Sequence, residues 1–472
     1  MTRLTAESPV HGTSRNIELD AALLEGASAD EARSCREVMD GTAPLSEGAG
    51  MAICAGEQPR QGQHLSRAQW IIVLLLVASV IINYVDRSNL SIAVPVIQRQ
   101  LDLSTLQVGS LMSAFFWTYA VLQVIGVVGW LSDAFPVGWV LAIGYIVWSG
   151  ATIATGLTSS FFALFLVRML LGVGESVAYP CYSRIFAELP QQHRGRANAF
   201  IDAGTKLGPA IGAFVGGLLL IHLGWRMLFI VLGVGGCLWL LPWLKVMPKS
   251  RATKRDAVAQ QASIRQLLCV PSAWGTFLGH FCGNYFFYFL LAWLPTYLVR
   301  EEHLSLLSMS RLTSAVFLLI AASTIMAGWI SDRLIARGYS VTRVRRSVVA
   351  GGLAVASLLA VLAYVHQHVA ISLSVLALAC IGYGCYASNH WAISQTLAGP
   401  SMAGRWTSLQ NGIANFSGIA APWIAGWIVE THGSSRLAFV VSGAVTLTGA
   451  FLWALLVRRV EPVQWTAASC SP

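Results

Sequence analysis

Between residues 69 and 457 the chain alternates long apolar runs with short polar breaks. Twelve runs stand out, near 70–95, 105–131, 138–157, 160–183, 197–221, 225–246, 273–298, 311–332, 347–366, 371–394, 405–430 and 435–457. Each has roughly the 20 residues an α-helix needs to cross about 30 Å of hydrocarbon at 1.5 Å per residue. Strands of a membrane barrel would be shorter and would alternate in polarity. The pattern therefore predicts an all-α membrane protein with twelve transmembrane helices. Residues 1–68 contain no such run and are rich in Ala, Gly, Ser and Glu, which reads as a disordered cytoplasmic extension. They lack the basic, apolar and cleavage regions of a signal peptide. Met51 opens a shorter lead-in, "MAICAGEQPRQGQHLSRAQW", and is a second candidate start.

Composition agrees with this picture. Hydrophobic residues make up 55% of the chain and charged residues 11%, against about 25% charged in an ordinary soluble domain; the mean hydropathy is +0.62. The net charge of +9 could suggest a nucleic-acid partner, but its placement gives it another role. With the amino terminus inside, the inner connections hold fifteen Lys and Arg, and the outer ones hold five, Arg99, Arg226, Arg300, Arg311 and Arg436. That asymmetry orients both termini to the cytoplasm and requires no nucleic acid. Cysteines show no CxxC or ligand spacing and read as structural thiols in a helix bundle. His366 and His368 fall at the outer end of the ninth run without a nearby carboxylate, so no metal site is expected.

An internal repeat divides the chain. "GWLSD" at 129–133 returns as "GWISD" at 328–332, each after the second helix of a group of six. The expected organisation is a six-helix half at 69–246, a basic cytoplasmic linker at 247–272, a second half at 273–457 and a cytoplasmic tail at 458–472. Parallel six-helix repeats with a binding site near the midplane of their interface form one large transporter architecture.

The motifs sharpen this. "NYVDRSNLSIAVP" in the first run, "RMLLGVGES" at 168–176 in the fourth and "AWLPTYL" at 292–298 in the seventh are similar to those of the anion:cation symporter branch of the major facilitator superfamily. That branch includes galactonate, glucarate and hexuronate transporters and the sialin-like proteins. The superfamily's loop motif is kept in the second half with Asp332 and Arg333. In the first half Asp133 is present, but Ala134 stands where Arg is usual, which weakens the expected gating contact.

Helical spacing then assigns faces. Tyr84, Arg87, Ser88 and Ser91 share one face of the first helix, whereas Asp86 is turned about 100° from Arg87. A charge at mid-bilayer costs about 2.5–3.5 kcal/mol on insertion scales, so these residues are functional candidates. Arg87 offers a fixed fork of donors that suits a carboxylate; Asp86 can discharge by taking a proton. Arg168 and Glu175 lie two turns apart on one face of the fourth helix. The resemblance implies that Asp86 and Glu175 are protonation sites, that Arg87 contacts a substrate carboxylate and that Arg168 joins their charge network. It also implies substrate contacts at Tyr84, Tyr119 and Asn415, and it aligns Thr205 or Lys206 with a polar position of the fifth helix. A helix-packing role for the same charges is the alternative.

Lys206, the one lysine well inside a predicted span, since Lys245 falls at the inner end of the sixth run beside the linker, either faces the cavity as a second cation or pairs with Asp202 one turn away. Gly204, Gly208, Gly212 and Gly216 form a stripe suited to close helix packing. The second half replaces charge with hydrogen-bonding and aromatic groups: Tyr288, Ser388, Asn389, Trp391, Asn411 and Asn415 are the candidate contacts for substrate hydroxyls, while His390 reads as a structural histidine or a proton carrier.

These readings converge on proton-coupled uptake of a small organic anion, a sugar acid or related carboxylate, by a monomer in a membrane, with protons as the coupling ion and no cofactor. A proton-driven exporter and a transport-silent sensor are the alternatives. Twenty-seven arginines against four lysines suggest a GC-rich source and a bacterial inner membrane. No nucleophile, base or metal constellation points to an enzyme.

Overall fold

The computed structural model describes residues 65–187, 189, 191–248, 264–365 and 369–465. The expected extension up to residue 64, most of the central linker, the end of the tail, and His366 and His368 lie outside the described residues.

A hydrocarbon solvent leaves no water to satisfy backbone groups, so the apolar runs close their own hydrogen bonds as helices. These are α1 (Arg67–Gln100), α2 (Thr105–Val124), α3 (Val137–Leu157), α4 (Phe161–Phe186), α5 (191–223), α6 (225–246), α7 (Pro271–Arg300), α8 (Leu306–Ala336), α9 (Val341–Val365), α10 (Ala370–Gly399), α11 (Gly404–His432) and α12 (Arg436–Leu456). Among the described residues there are eleven candidate spans by length and composition, because Ala197–Val246 counts as one. Fifty residues would extend about 75 Å, more than twice the hydrocarbon thickness. Gly224, with φ 77° and ψ 168°, breaks that stretch into α5 and α6 and restores the twelve expected spans. Where helices begin in polar surroundings, serine caps define them: Ser66 with Gln69 and Ser104 with Gln107 form reciprocal capping boxes.

The pairing of helices follows the sequence repeat. Within the first six, α1 packs on α5, α2 on α4 and α3 on α6; within the last six, α7 packs on α11, α8 on α10 and α9 on α12. Between the groups, α2 meets α11 and α5 meets α8, contacts that exchange with each other when the halves are exchanged, while α1 meets α7 on the axis. This is a twelve-helix bundle of two pseudo-symmetric halves.

The glycine stripe explains how α1 is placed. Gly204 faces Val80, Gly208 faces Tyr84, Gly212 faces Val85 and Ser88, and Gly216 faces Asn89. A methyl at Gly208 would meet the Ile81 carbonyl at 2.9 Å. With no side chains in the way, α5 lies directly against the Val80–Tyr84–Ser88 side of α1, and Arg87, a quarter-turn from Ser88, is left to face α2 and α4. At the end of the bundle where α1 finishes, α2 and α11 close together. The backbone amides of Thr105 and Leu106 donate to the Glu430 carboxylate at 2.8 and 3.2 Å, and a methyl at Gly109 would lie 3.1 Å from Gly426 Cα.

Gly208→Leu should therefore force α1 off α5 and destabilise the bundle by about 1–3 kcal/mol, the usual cost of overpacking. Gly150, which has open space around it, is the control: Gly150→Leu should leave the thermal unfolding midpoint of detergent-purified protein unchanged. Equal midpoints for the two variants would refute this packing account.

Candidate functional site

Halfway along α1 the residues Asn83, Tyr84, Asp86 and Arg87 are all buried. Arg87 Nε donates to Glu175 Oε2 of α4 at 2.8 Å, with both side chains almost wholly withdrawn from the surface. Three aromatic rings enclose the guanidinium. Its Cζ lies 4.8, 4.6 and 4.7 Å from the ring centroids of Tyr84, Phe115 and Tyr119, and desolvated cation–π contacts of this kind reach about 2 kcal/mol each. The pair is nonetheless incomplete. Arg87 Nη2 and Glu175 Oε1 are buried and lack hydrogen-bond partners.

Asp86 points to the neighbouring face, as the 100° offset requires, and so serves different groups. It lies near Thr152 of α3 and within electrostatic reach of Arg168 and Glu175. One oxygen of Asp86 and the Nε of Arg168 are also buried without partners. Two carboxylates and two guanidiniums thus share one dry region of the first half. Their formal charges cancel, but several strong donors and acceptors remain unsatisfied, which is costly in a low-dielectric medium.

Both guanidiniums line a small cavity between the halves. Phe115 and Phe116 of α2 and Tyr288, Leu291 and Ala292 of α7 complete its wall, and its volume is about 20 Å³, room for roughly one water. In this conformation it is closed around two cations and is too small for an organic acid.

The second half reaches this region through a hydrogen-bonded chain. Tyr288 packs on Phe116 with ring centroids 4.4 Å apart and donates its hydroxyl to Asn415 Oδ1 at 2.8 Å. Asn415 donates to the Asn411 carbonyl at 2.8 Å, and Asn411 Nδ2 donates across the interface to Gln123 Oε1 of α2 at 2.9 Å. Tyr84, Tyr119, Arg87, Arg168, Glu175, Asp86, Tyr288 and Asn415 are accordingly gathered in one region, with Asn411 at its edge.

Other expected residues go elsewhere. Lys206 Nζ donates to Asp202 Oδ1 at 3.1 Å and to Thr205 Oγ1 at 2.8 Å, so of its two open readings the structure forms the pair within α5. Asn389 donates to Ser331 of α8 at 2.9 Å and to Ser388 at 2.8 Å, which ties α10 to α8. Trp391 packs against His280, with ring centroids 4.9 Å apart, and against His390 at 5.1 Å. At the end of α8, Asp332 and Arg333 are exposed and Arg333 rests on the Trp329 ring; the side chain of Asp133 lies outside the described residues.

Sequence reading missed Phe115, Phe116, Thr152, Gln123 and His280. Phe115 carried a signal, since it precedes Tyr119 by one turn of α2. Thr152 and His280 carried none, because nothing in α3 or α7 reports which helix each faces.

Removing one member of a buried pair strands the other charge. Arg87→Ala should destabilise the protein by about 3–5 kcal/mol, whereas Arg87→Met with Glu175→Met should recover most of that loss. Thermal unfolding of the two variants beside the parent decides the matter, and an undiminished midpoint for Arg87→Ala would contradict the pairing.

Comparison with known proteins places this geometry. The family model described as Major Facilitator Superfamily matches residues 76–422 and 334–469. The chain is 29% identical to the probable galactarate/D-glucarate transporter GudP of Bacillus subtilis, covering 84% of this chain and 93% of that one. It is also 29% identical to the probable L-galactonate transporter of Escherichia coli, covering 85% and 92%. Among solved structures, a bacterial homologue of the human lysosomal transporter Spinster, inward-facing and unoccupied, matches with a TM-score of 0.70 at 19% identity over 84% of this chain and 98% of that one, a likeness of fold. The chain belongs to the Major Facilitator Superfamily and is a membrane transporter rather than an enzyme.

Proposed function

We propose that the chain takes up a small organic anion, a sugar acid or related carboxylate, in symport with protons by alternating access. The observation that carries this reading is the buried Arg87–Glu175 pair beside Asp86 and Arg168, facing the seam between the halves with an unpartnered nitrogen and oxygen.

With both acids ionised the four charges cancel. A carboxylate entering beside Arg87 would leave one net negative charge at mid-bilayer, and one proton on Glu175 removes it. The same proton weakens the hold of Glu175 on Arg87 Nε and frees the guanidinium for a bidentate contact with the substrate. Asp86, on its own face near Arg168, is the second proton position. Membrane energetics favour this coupling, because an anion entering alone works against about 2.3 kcal/mol per 100 mV inside negative. For a monoanion such as galactonate one proton cancels that penalty and a second makes uptake electrogenic, whereas a dianion such as galactarate needs both protons to balance its charge. Release inside follows when the protons leave and Glu175 reclaims Arg87. Tyr288, Asn415 and Asn411 supply hydroxyl-directed hydrogen bonds from the other half. The names of the two relatives support sugar acids as the first substrates to try.

Proteoliposomes given labelled galactarate or galactonate and an inward proton gradient should accumulate the acid, more so as the outer pH falls. An uncoupler should abolish accumulation, replacement of sodium by potassium should not change it, and Arg87→Ala should lack it. Glu175→Gln should lose at least ten-fold of gradient-driven accumulation while retaining exchange of internal for external acid within a few-fold. Uptake indifferent to pH and uncoupler would sink proton symport, and the opposite gradient dependence would identify an exporter.

A further inference from the structure

A second cavity among the described residues lies away from the central pair, where α1 and α7 finish. It has a volume of about 330 Å³ and is walled by Pro95 and Arg99 of α1, Val299 of α7, His303 and Ser305 in the connection that follows, and Leu306 at the start of α8. At about 30 Å³ per water it holds on the order of ten waters, enough for a six-carbon acid.

Its one formally charged wall residue is Arg99, which makes no ion pair among the described residues. The nearest acids in sequence are engaged or apart. Glu301 accepts from the Ser435 amide at 2.9 Å, Glu302 accepts the Tyr297 hydroxyl, and Asp102 makes no ion pair with Arg99. His303 enters the wall with φ 53°, a left-handed conformation that costs a non-glycine residue on the order of 1–3 kcal/mol. The amino terminus of the 31-residue α8, capped by Ser305, adds the positive end of its dipole. An arginine without an ion pair beside an open cavity, with a helix amino terminus and an imidazole in the same wall and the local acids turned to other partners, leaves a place for an anion.

Position gives that anion a role. Pro95 lies eight residues from Arg87 on α1, and Val299 lies eight residues from Leu291 on α7, so the same two helices form the wall of both cavities about 12 Å apart. The two helices are in contact with each other.

We infer that this pocket is an outer binding site for a carboxylate or phosphate group, which holds a substrate anion above the closed α1–α7 seam before the central site opens to it. Its role as a waiting site rests on the uptake reading above; its affinity for anions does not.

The test uses full-length protein carrying Val96→Cys, a residue of the pocket wall, together with Arg87→Met and Glu175→Met to disable the central site while keeping the fold. The protein is reconstituted in neutral phosphatidylcholine vesicles. Labelling at position 96 by an anionic and by a cationic thiosulfonate is followed by peptide mass spectrometry. The anionic reagent should react about ten-fold faster, and Arg99→Gln with His303→Gln should collapse that preference at least five-fold. Millimolar galactarate, galactonate or inorganic phosphate should slow anionic labelling. Equal rates for the two reagents, or no protection by any of the three anions, would overturn the site. Protection only when anionic lipid is added would assign the pocket to lipid headgroups and overturn the waiting role. Arg99→Gln alone, with Val96 and Arg87 intact, should raise the uptake KM several-fold with Vmax within two-fold, and an unchanged KM would also overturn that role. Protection without any accumulation in the parent would refute uptake while leaving the pocket an anion site.

Discussion

A guanidinium at the middle of a membrane helix has to find its counter-charge inside the protein, and the contact of Arg87 with Glu175 meets that demand. Much of the first half is arranged around it. The stripe of glycines on α5 packs against the adjacent Val80–Tyr84–Ser88 side of α1, which leaves Arg87 facing α2 and α4. Phe115 and Tyr119 of α2 then cover the guanidinium, and α4 supplies the acid. Asp86 cannot share this partner because its side chain leaves α1 a quarter-turn away. It meets Thr152 and the field of Arg168 instead. Two charge systems therefore coexist within a few residues without collapsing into one bridge.

Saturated ion pairs would make a good staple and a poor carrier. In a low-dielectric site each unpartnered polar atom adds to the energy of the state that holds it, and here both partners of the central pair, together with Asp86 and Arg168, keep one such atom. The small cavity beside the two guanidiniums is where an incoming acceptor would relieve part of that cost. This is also why a helix-packing role explains the arrangement less well. Packing alone would favour complete pairing or apolar side chains of similar volume.

The spans were legible because the bilayer demands apolar length, and residue faces were legible because helical periodicity is fixed. Thus the separation of Asp86 from Arg87, the close-packing face of Gly204 to Gly216 and the pairing available to Lys206 could all be read from spacing. Periodicity does not report which neighbour a face meets. Glu175 was found as a buried acid, but its attachment to Arg87 rather than to Arg168 on its own helix depends on how α1 and α4 are rotated. Asn389 shows the same limit: a polar side chain in the right span turns toward Ser331 and joins α10 to α8. The pocket near Arg99 was illegible for another reason. It is assembled from the ends of three helices and a connection, where no period runs, and its basic residues were counted only as part of a charge asymmetry between the two sides.

The asymmetry between the halves has a mechanical consequence. The central charges all belong to the first half, so exchanging their partners does not by itself move one half against the other. Movement has to pass through groups that touch both. Tyr288 is placed for this, since its ring lies on Phe116 of α2 and its hydroxyl is held by Asn415 of α11, which leads through Asn411 to Gln123. Arg87 rests on the Phe115 ring, Phe115 packs on Phe116, and Phe116 packs on Tyr288. The central charges are thereby joined to the seam by an unbroken run of packed rings, in addition to the hydrogen-bonded chain.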